Sequence, residues 1–320
     1  MLPEGFEREI APVLAPRLAE LVRRAALALP GPLEEIRVRE GRPLQLVYPG
    51  GDAFIAPDGR LTPDPDRAER ASRDDLQRTF QLMARGSVYA WEEEVRGGFL
   101  TLEGGHRVGL CGRAVTEGGR IRTLKPVASL NIRIAREVPG AADALLPQLV
   151  RGGRFLSTLL ISPPQAGKTT MLRDLVRQLS TGVPRLRLPG LKVGLVDERS
   201  EVAGCYLGVP QRDVGPRTDV LDGCPKAEGL MLVIRSLSPQ VVAADEVGRP
   251  EDAQALMEAL HAGVAVLATA HGSCLADVRR RPAMAELLRA GAFERAVLLG
   301  RSRGPGTVEA VTDLTREGAA

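Results

Sequence analysis

Aromatic side chains are nearly missing: they make up 3 % of the 320 residues, with one tryptophan. Such a chain offers few flat surfaces on which the bases of a single strand could stack, and its core must rest on Leu, Val, Ile and Ala. An excess of one charge is missing too. Lys and Arg total 43 against 40 Asp and Glu, a net +3, which leaves no electrostatic footprint of a nucleic-acid binder. Arginine runs such as 279–281 read as solvated helix ends. The four cysteines, Cys111, Cys205, Cys224 and Cys274, lie far apart without CxxC spacing, and there are three histidines. That pattern gives no zinc framework and fits reduced, mostly packed thiols in the cytosol. No run approaches the ~20 apolar residues that span a bilayer. The N-terminus carries Glu4, Glu7 and Glu9 in place of the basic-then-apolar pattern of a signal peptide. These absences predict a cytoplasmic protein without a transmembrane segment, peripheral to a membrane only through partners.

What is present fits a soluble globular protein: 44 % hydrophobic and 26 % charged residues. The length suggests two domains. Residues 7–28 place Ile10, Val13, Leu14, Leu18, Leu21 and Val22 near helical spacing, with Pro12 and Pro16 marking a break or a late start. Strands are expected at 35–39 and 44–48 around the turn Gly41-Arg42-Pro43, then a loop or hairpin over 49–65 and a helix over 74–84. Segments 99–102, 107–115 and 120–123 alternate apolar and polar residues between Gly-rich turns, the pattern of antiparallel sheet. Together these elements predict an N-terminal α+β domain over 1–150, ending near Arg151-Gly152-Gly153.

The second half, 151–320, changes rhythm. Strand-like runs at 158–161, 193–196, 241–244 and 264–269 alternate with helix-like runs at 168–180, 227–237 and 250–261. That order predicts an α/β fold with a doubly wound, largely parallel sheet and helices on both faces. The stretch 181–192 reads as a plain loop.

The strongest motif is SPPQAGKTT, that is Ser162, Pro163, Pro164, Gln165, Ala166, Gly167, Lys168, Thr169 and Thr170. It comes after the apolar strand FLSTLLI and opens the helix TTMLRDLVRQL, the strand, loop and helix context of a Walker A phosphate-binding loop. Backbone N–H groups and the positive helix end would cradle the phosphates of ATP. Lys168 would reach the β- and γ-phosphates, and the Thr169 hydroxyl would ligate Mg²⁺. The pattern GxxxxGK[ST] asks for Gly at position 162, where this chain has Ser. Glycine there permits a turn at no steric cost, so the substitution is compatible with binding if the local φ is negative.

Downstream, the apolar strand VVAA ends in Asp245 and Glu246. Open α/β sheets place ligands at the C-terminal ends of their strands. Asp245 is therefore the candidate Walker B acid, holding Mg²⁺ through water, and Glu246 the candidate that polarises the attacking water. A second apolar strand, KVGLV, ends in Asp197, Glu198 and Glu201, which could orient the nucleophile or cap a helix N-terminus. His271 ends the strand GVAVLATA and could donate a hydrogen bond to the γ-phosphate.

The order of segments ISPPQAGKTTMLRDLVR, VGLVDERSEVAG, GVPQRDVGPRTDVLDGCPKAEG, IRSLSPQVVAADEVG and GVAVLATAHG resembles the stage III sporulation protein AA family. The likeness extends to VYAWEEEVRGGFLTLEGGHRVGLCGRAV, SLNIRIAR and AFERAVLLGRSRGPGTVEAVTDL, so it covers nearly the whole chain. It implies a RecA-like P-loop NTPase core behind the N-terminal domain, related to type II secretion and type IV pilus motors. It further implies assembly as a homo-oligomeric ring, a hexamer being one size, and membrane protein partners in a channel complex between mother cell and forespore. In such motors an acidic box and a His box accompany the Walker motifs; Asp197, Glu198 and Glu201 match the first and His271 the second. Arginines of the N-terminal domain reach a neighbour's nucleotide, for which Arg107, Arg113 and Arg133 stand in suitable strands; Arg217, in the loop GPRTDVLDG, is a further candidate.

The expected activity is thus hydrolysis of ATP with Mg²⁺ by a motor or assembly ATPase of a secretion-like channel in sporulation. Two other readings share the motif: a nucleic-acid-associated P-loop ATPase, against which charge and aromatic content speak, and a nucleotide-gated assembly factor with little turnover, for which Ser162 speaks. No direct contact with nucleic acid is expected.

Overall fold

A computed structural model of the chain describes residues 5–84 and 92–315. Glu4 and the VYAW stretch at 88–91 lie outside the described residues. The chain divides into two compact units, Met1–Arg136 and Glu137–Ala320, whereas sequence composition puts the joint near 150. The difference has a local cause. Ala142, Leu145, Leu146 and Leu149 are buried in the core of the second unit, and the Asp174 carboxylate accepts the N–H groups of Gly140 and Ala142 at 3.1 and 2.8 Å. Residues 137–149 therefore belong to the second unit.

In the first unit, the expected long N-terminal helix is broken by its prolines. A single π-turn, Phe6–Ile10, and a 3₁₀ turn, Ala11–Val13, precede α1, Pro16–Ala26, which starts with Pro16 at the position where a missing N–H costs nothing. Strands β1 (Glu35–Arg39), β2 (Gln45–Tyr48), β3 (Gly51–Ile55) and β4 (Leu61–Thr62) form a meander, and the 49–65 region is its hairpin. Helix α2 (Arg73–Met83) opens on a capping box between Ser72 and Asp75. After α3 (Glu92–Gly97) come β5 (Phe99–Thr101), β6 (Arg107–Glu117) and β7 (Arg120–Arg133). Among the described residues these make one antiparallel sheet in the order β4-β3-β2-β1-β7-β6-β5.

After residues 137–149, the second unit forms the small hairpin β8 (Val150–Arg151) and β9 (Arg154–Phe155). Its main sheet has the order β12-β11-β13-β14-β10-β15-β16 among the described residues. The strands are β10 (Thr158–Ser162), β11 (Val193–Asp197), β12 (Thr218–Asp222), β13 (Val241–Ala244), β14 (Ala265–His271), β15 (Arg295–Gly300) and β16 (Thr307–Asp313). All neighbouring pairs are parallel except β15 with β16. Helices α4 (Lys168–Thr181), α5 (Lys226–Leu237), α6 (Pro250–His261), α7 (Leu275–Arg279) and α8 (Pro282–Arg289) connect them. The loop between α4 and β11 holds only a 3₁₀ turn at Pro184–Leu186.

Strand residues alternate between two cores. Leu160, Leu195, Ala243, Leu267 and Val297 face the cluster that holds Met171, Leu172, Leu175 and Leu179 of α4. Leu159, Ile161, Val196, Val242 and Val266 face Leu230 and Val233 of α5, Leu256 of α6 and Leu287 of α8. Because both faces are covered, the strands read as continuous apolar runs. Each buried Leu or Val contributes roughly 1.5–3 kcal/mol relative to exposure, so this double core fixes the strand ends from which the polar residues emerge. The fold is the expected doubly wound, largely parallel sheet.

Candidate active site

The motif residues converge at the C-terminal edge of this sheet. Ser162 closes β10 and pairs in register with His271 of β14. Its backbone is thus extended, its hydroxyl donates to the Pro163 carbonyl at 2.9 Å, and it is fully buried. The turn after it puts the left-handed backbone elsewhere, at Gln165 (φ 59°) and Gly167 (φ 81°). Gly167 caps α4 and could not carry a side chain: an added Cβ would lie 2.8 Å from the Gly306 nitrogen. The turn between β15 and β16 packs there, with the Gly306 N–H donating to the Ala166 carbonyl at 2.9 Å.

Lys168 is 6 % exposed. Its Nζ donates to Glu246 Oε1 at 3.1 Å and lies 3.9 Å from Asp245 Oδ1. The Thr169 hydroxyl donates to Asp245 Oδ2 at 2.9 Å. Thr269 of β14 donates to the other carboxylate oxygen of Asp245 and accepts the Glu246 N–H at 2.8 Å. His271 Nε2 lies 2.8 Å from Glu246 Oε1. The Nδ1 atom of His271 is buried and has no hydrogen-bond partner among the described residues.

Glu246 is a non-glycine residue in left-handed backbone, with φ 55°. That conformation costs on the order of 1–3 kcal/mol and persists only where the surroundings hold it. Burial acts to raise the Glu246 carboxyl, but the charge of Lys168, with the bonds from Lys168 and His271, outweighs it and holds the group below the ordinary range. An ionised carboxylate beside a buried ammonium, a threonine hydroxyl and a second acid is a set able to bind a hydrated cation and accept a proton.

The acids after β11 separate into two roles. Asp197 is buried and turns inward, accepting the N–H groups of Glu201, Val202 and Ala203 at 2.9, 2.9 and 2.8 Å. It caps its own turn, not a helix. Burial, with the neighbouring Asp222 charge, pushes its carboxyl up to about 6 against those three bonds. Glu198 instead lies 3.2 Å from Lys226 Nζ, although both Asp197 and Glu198, with Glu201, Lys226, Asp245 and Glu246, border one cleft. Arg173 of α4 is half-buried and ties this segment to the phosphate-loop helix by donating to the carbonyls of Val202 and Glu201.

The family profile described as Sporulation stage III, protein AA matches residues 5–318. Stage III sporulation protein AA of Bacillus subtilis (strain 168) is 47 % identical over 281 residues, which is 88 % of this chain and 87 % of that protein. The chain belongs to this family. Among solved structures, the Legionella pneumophila ATPase DotB is similar at a TM-score of 0.55 and 14 % identity, over 83 % of this chain and 72 % of that one. The pilus retraction motor PilT with bound ADP is similar at a TM-score of 0.54 and 13 % identity, over 87 % and 76 % of the two chains. This member of the stage III sporulation protein AA family therefore shares the fold of the ATPase DotB and the pilus motor PilT. Among its described residues no helix is long and apolar enough to cross a membrane.

Of the four arginines singled out in the sequence, Arg217 lies apart from these groups. Arg217 precedes β12, at the opposite end of the strands from the phosphate loop, and its N–H and guanidinium donate to the Ser180 hydroxyl and carbonyl at 2.6 and 3.0 Å. In the first unit, Arg107 stacks 4.0 Å from the Phe99 ring centre, Arg113 is exposed on β6, and Arg133 lies 3.7 Å from Glu35. Three residues at the site carry no motif signal: Thr269, inside an apolar strand; Lys226, one residue before the expected helix; and Arg199, 3.6 Å from Glu246. Lys226 and Arg199 are marked only by their places at a helix start and just past a strand end, and Thr269 only by lying two residues before His271 in β14.

Proposed function

We propose that this family member binds ATP with Mg²⁺ at the start of α4 and hydrolyses the γ-phosphate, as a motor or assembly ATPase of a secretion-like channel complex between mother cell and forespore. The observation that carries the proposal is the bond from the Thr169 hydroxyl to Asp245 at 2.9 Å, with Lys168 beside Glu246. It brings a phosphate-loop threonine and a strand-end acid 76 residues away to one point, where a single ligand could use both.

Each role has a geometric basis. The amides of Gln165, Ala166, Gly167, Lys168, Thr169 and Thr170 would receive the phosphates at the helix end; Ser162, paired within the sheet, and the stiff Pro163 and Pro164 lead into the loop. Thr169, and Asp245 through water, would hold Mg²⁺. The donor set suits it: one hydroxyl and one carboxylate, the hard oxygen donors that Mg²⁺ prefers. Bound there, Mg²⁺ would neutralise charge developing on the phosphates. Incoming phosphates compete with Glu246 for Lys168. As Lys168 moves to them, the freed Glu246 carboxylate takes a proton from the attacking water. His271, 2.8 Å from the same carboxylate, would report the γ-phosphate, and Glu198 with Glu201 would order water in the cleft, while Asp197 shapes the loop that carries them.

The family and the fold support a ring on the cytoplasmic side of a membrane complex, with Arg107, Arg113 or Arg133 serving a neighbour's site. Arg217 is held by the Ser180 carbonyl at 3.0 Å, which leaves it less free than the others to reach a neighbour. The assembly-factor reading drew on Ser162; an extended backbone at that residue removes its support. Purified protein with Mg-ATP should release phosphate, Lys168→Ala should abolish the release, and Glu246→Gln should bind nucleotide without turnover. Release unchanged in Lys168→Ala would overturn the proposal.

A further inference from the structure

We infer that Lys226 is a positioning residue of this site: it holds the Glu246 peptide in its turned conformation and ties it to Glu198. The inference rests on the hydrolysis proposed above and adds a residue that no motif assigns.

Lys226 opens α5, yet it is 7 % exposed. Its Nζ donates to the Glu246 carbonyl at 2.9 Å and lies 3.2 Å from Glu198 Oε2. An ammonium taken out of water persists only with partners, and this one has two, at the ends of β11 and β13. The Glu246 carbonyl matters because Glu246 is left-handed at φ 55°. Its N–H is held by Thr269 at 2.8 Å and its carboxylate by Lys168 and His271 at 3.1 and 2.8 Å. When phosphates draw Lys168 away, one side-chain restraint is lost. The backbone restraints from Thr269 and Lys226 remain, and they fix where the carboxylate points. Lys226 also lies between two acids, Glu198 and Glu246, so a shift of either strand end reaches the other through it.

The test uses the full chain. Phosphate release, affinity for a fluorescent ADP analogue and thermal midpoint are measured for wild type, Lys226→Met, Lys226→Arg and Glu198→Gln. Losing a hydrogen bond to a charged group should lower kcat about 10- to 100-fold in Lys226→Met, with KM and ADP affinity unchanged. Lys226→Arg should recover part of kcat, because it restores the cation but not its fit. If Lys226→Met does not fold, Lys226→Arg and Glu198→Gln decide: both should show reduced kcat at unchanged ADP affinity, and full activity in both overturns the inference. A wild type that turns over ATP beside a folded Lys226→Met of equal kcat sinks the inference alone. A wild type that releases no phosphate sinks the ATPase reading and the inference with it.

Discussion

The Lys168 ammonium donates to a Glu246 carboxylate oxygen at 3.1 Å across 78 residues of sequence. The pair joins the first residue of α4 to the acid just beyond β13, the two ends of one catalytic proposal. It also explains why Glu246 is ionised: burial alone would raise its carboxyl, and the neighbouring cation reverses the sign.

Thr269 serves both acids at once, through its bond to Asp245 and its acceptance of the Glu246 N–H. Thr269→Val keeps the shape and removes both bonds. Leaving a buried N–H and carboxylate without that partner costs roughly 1–3 kcal/mol. Phosphate release should fall by on the order of tenfold or more, with the fold retained by circular dichroism. Wild-type turnover in this variant would show that neither bond aligns the site.

Gly167 is required twice over, by φ 81° and by the Gly306 nitrogen 2.8 Å from where a Cβ would stand. Gly167→Ala should displace the β15 to β16 turn from the phosphate loop and cost on the order of 1–3 kcal/mol. Nucleotide affinity should drop with it. A titration calorimetry curve superimposable on that of wild type would contradict this packing.

Ser162 departs from the glycine of the usual motif, but it sits in extended backbone paired with His271. Ser162→Gly should therefore bring no gain in nucleotide affinity. It should lower stability by about 0.5–1 kcal/mol, because glycine loses more freedom on folding. Markedly tighter binding by the glycine variant would mean that the loop needs a conformation the serine resists.

Asp197 sets a pH dependence of definite sign. Its folded value, about 6, lies above the ordinary 3.8, so the protonated form is favoured by folding. Its contribution to stability is complete below the unfolded value and is lost as pH rises through the folded one. Denaturant midpoints of wild type and Asp197→Asn, compared from about pH 4 to about pH 7, should show the wild type declining relative to the variant. A wild type that gains on the variant as pH rises would reverse the assignment. Glu246 has the opposite shift and cancels in this comparison.

The phosphate loop, the strands that carry Asp245 and His271, and the alternation of apolar strands and helices are legible in the amino-acid order. These features are local: a strand, a glycine turn and a helix start lie within a dozen residues, and a strand covered on both faces must be apolar throughout. Less legible is β12, whose residues, TDVLD, are too polar at this sheet edge to read as a buried run, or the β15 to β16 hairpin that closes over Gly167. Folding alone settles that Asp197 turns inward while Glu198 meets Lys226, that Arg217 lies at the far end of the strands, and that residues 137–149 join the second unit. Each depends on which distant segment supplies a partner. A carboxylate's environment, and so its charge and its use, is set by groups brought together across the chain, which spacing along it does not encode.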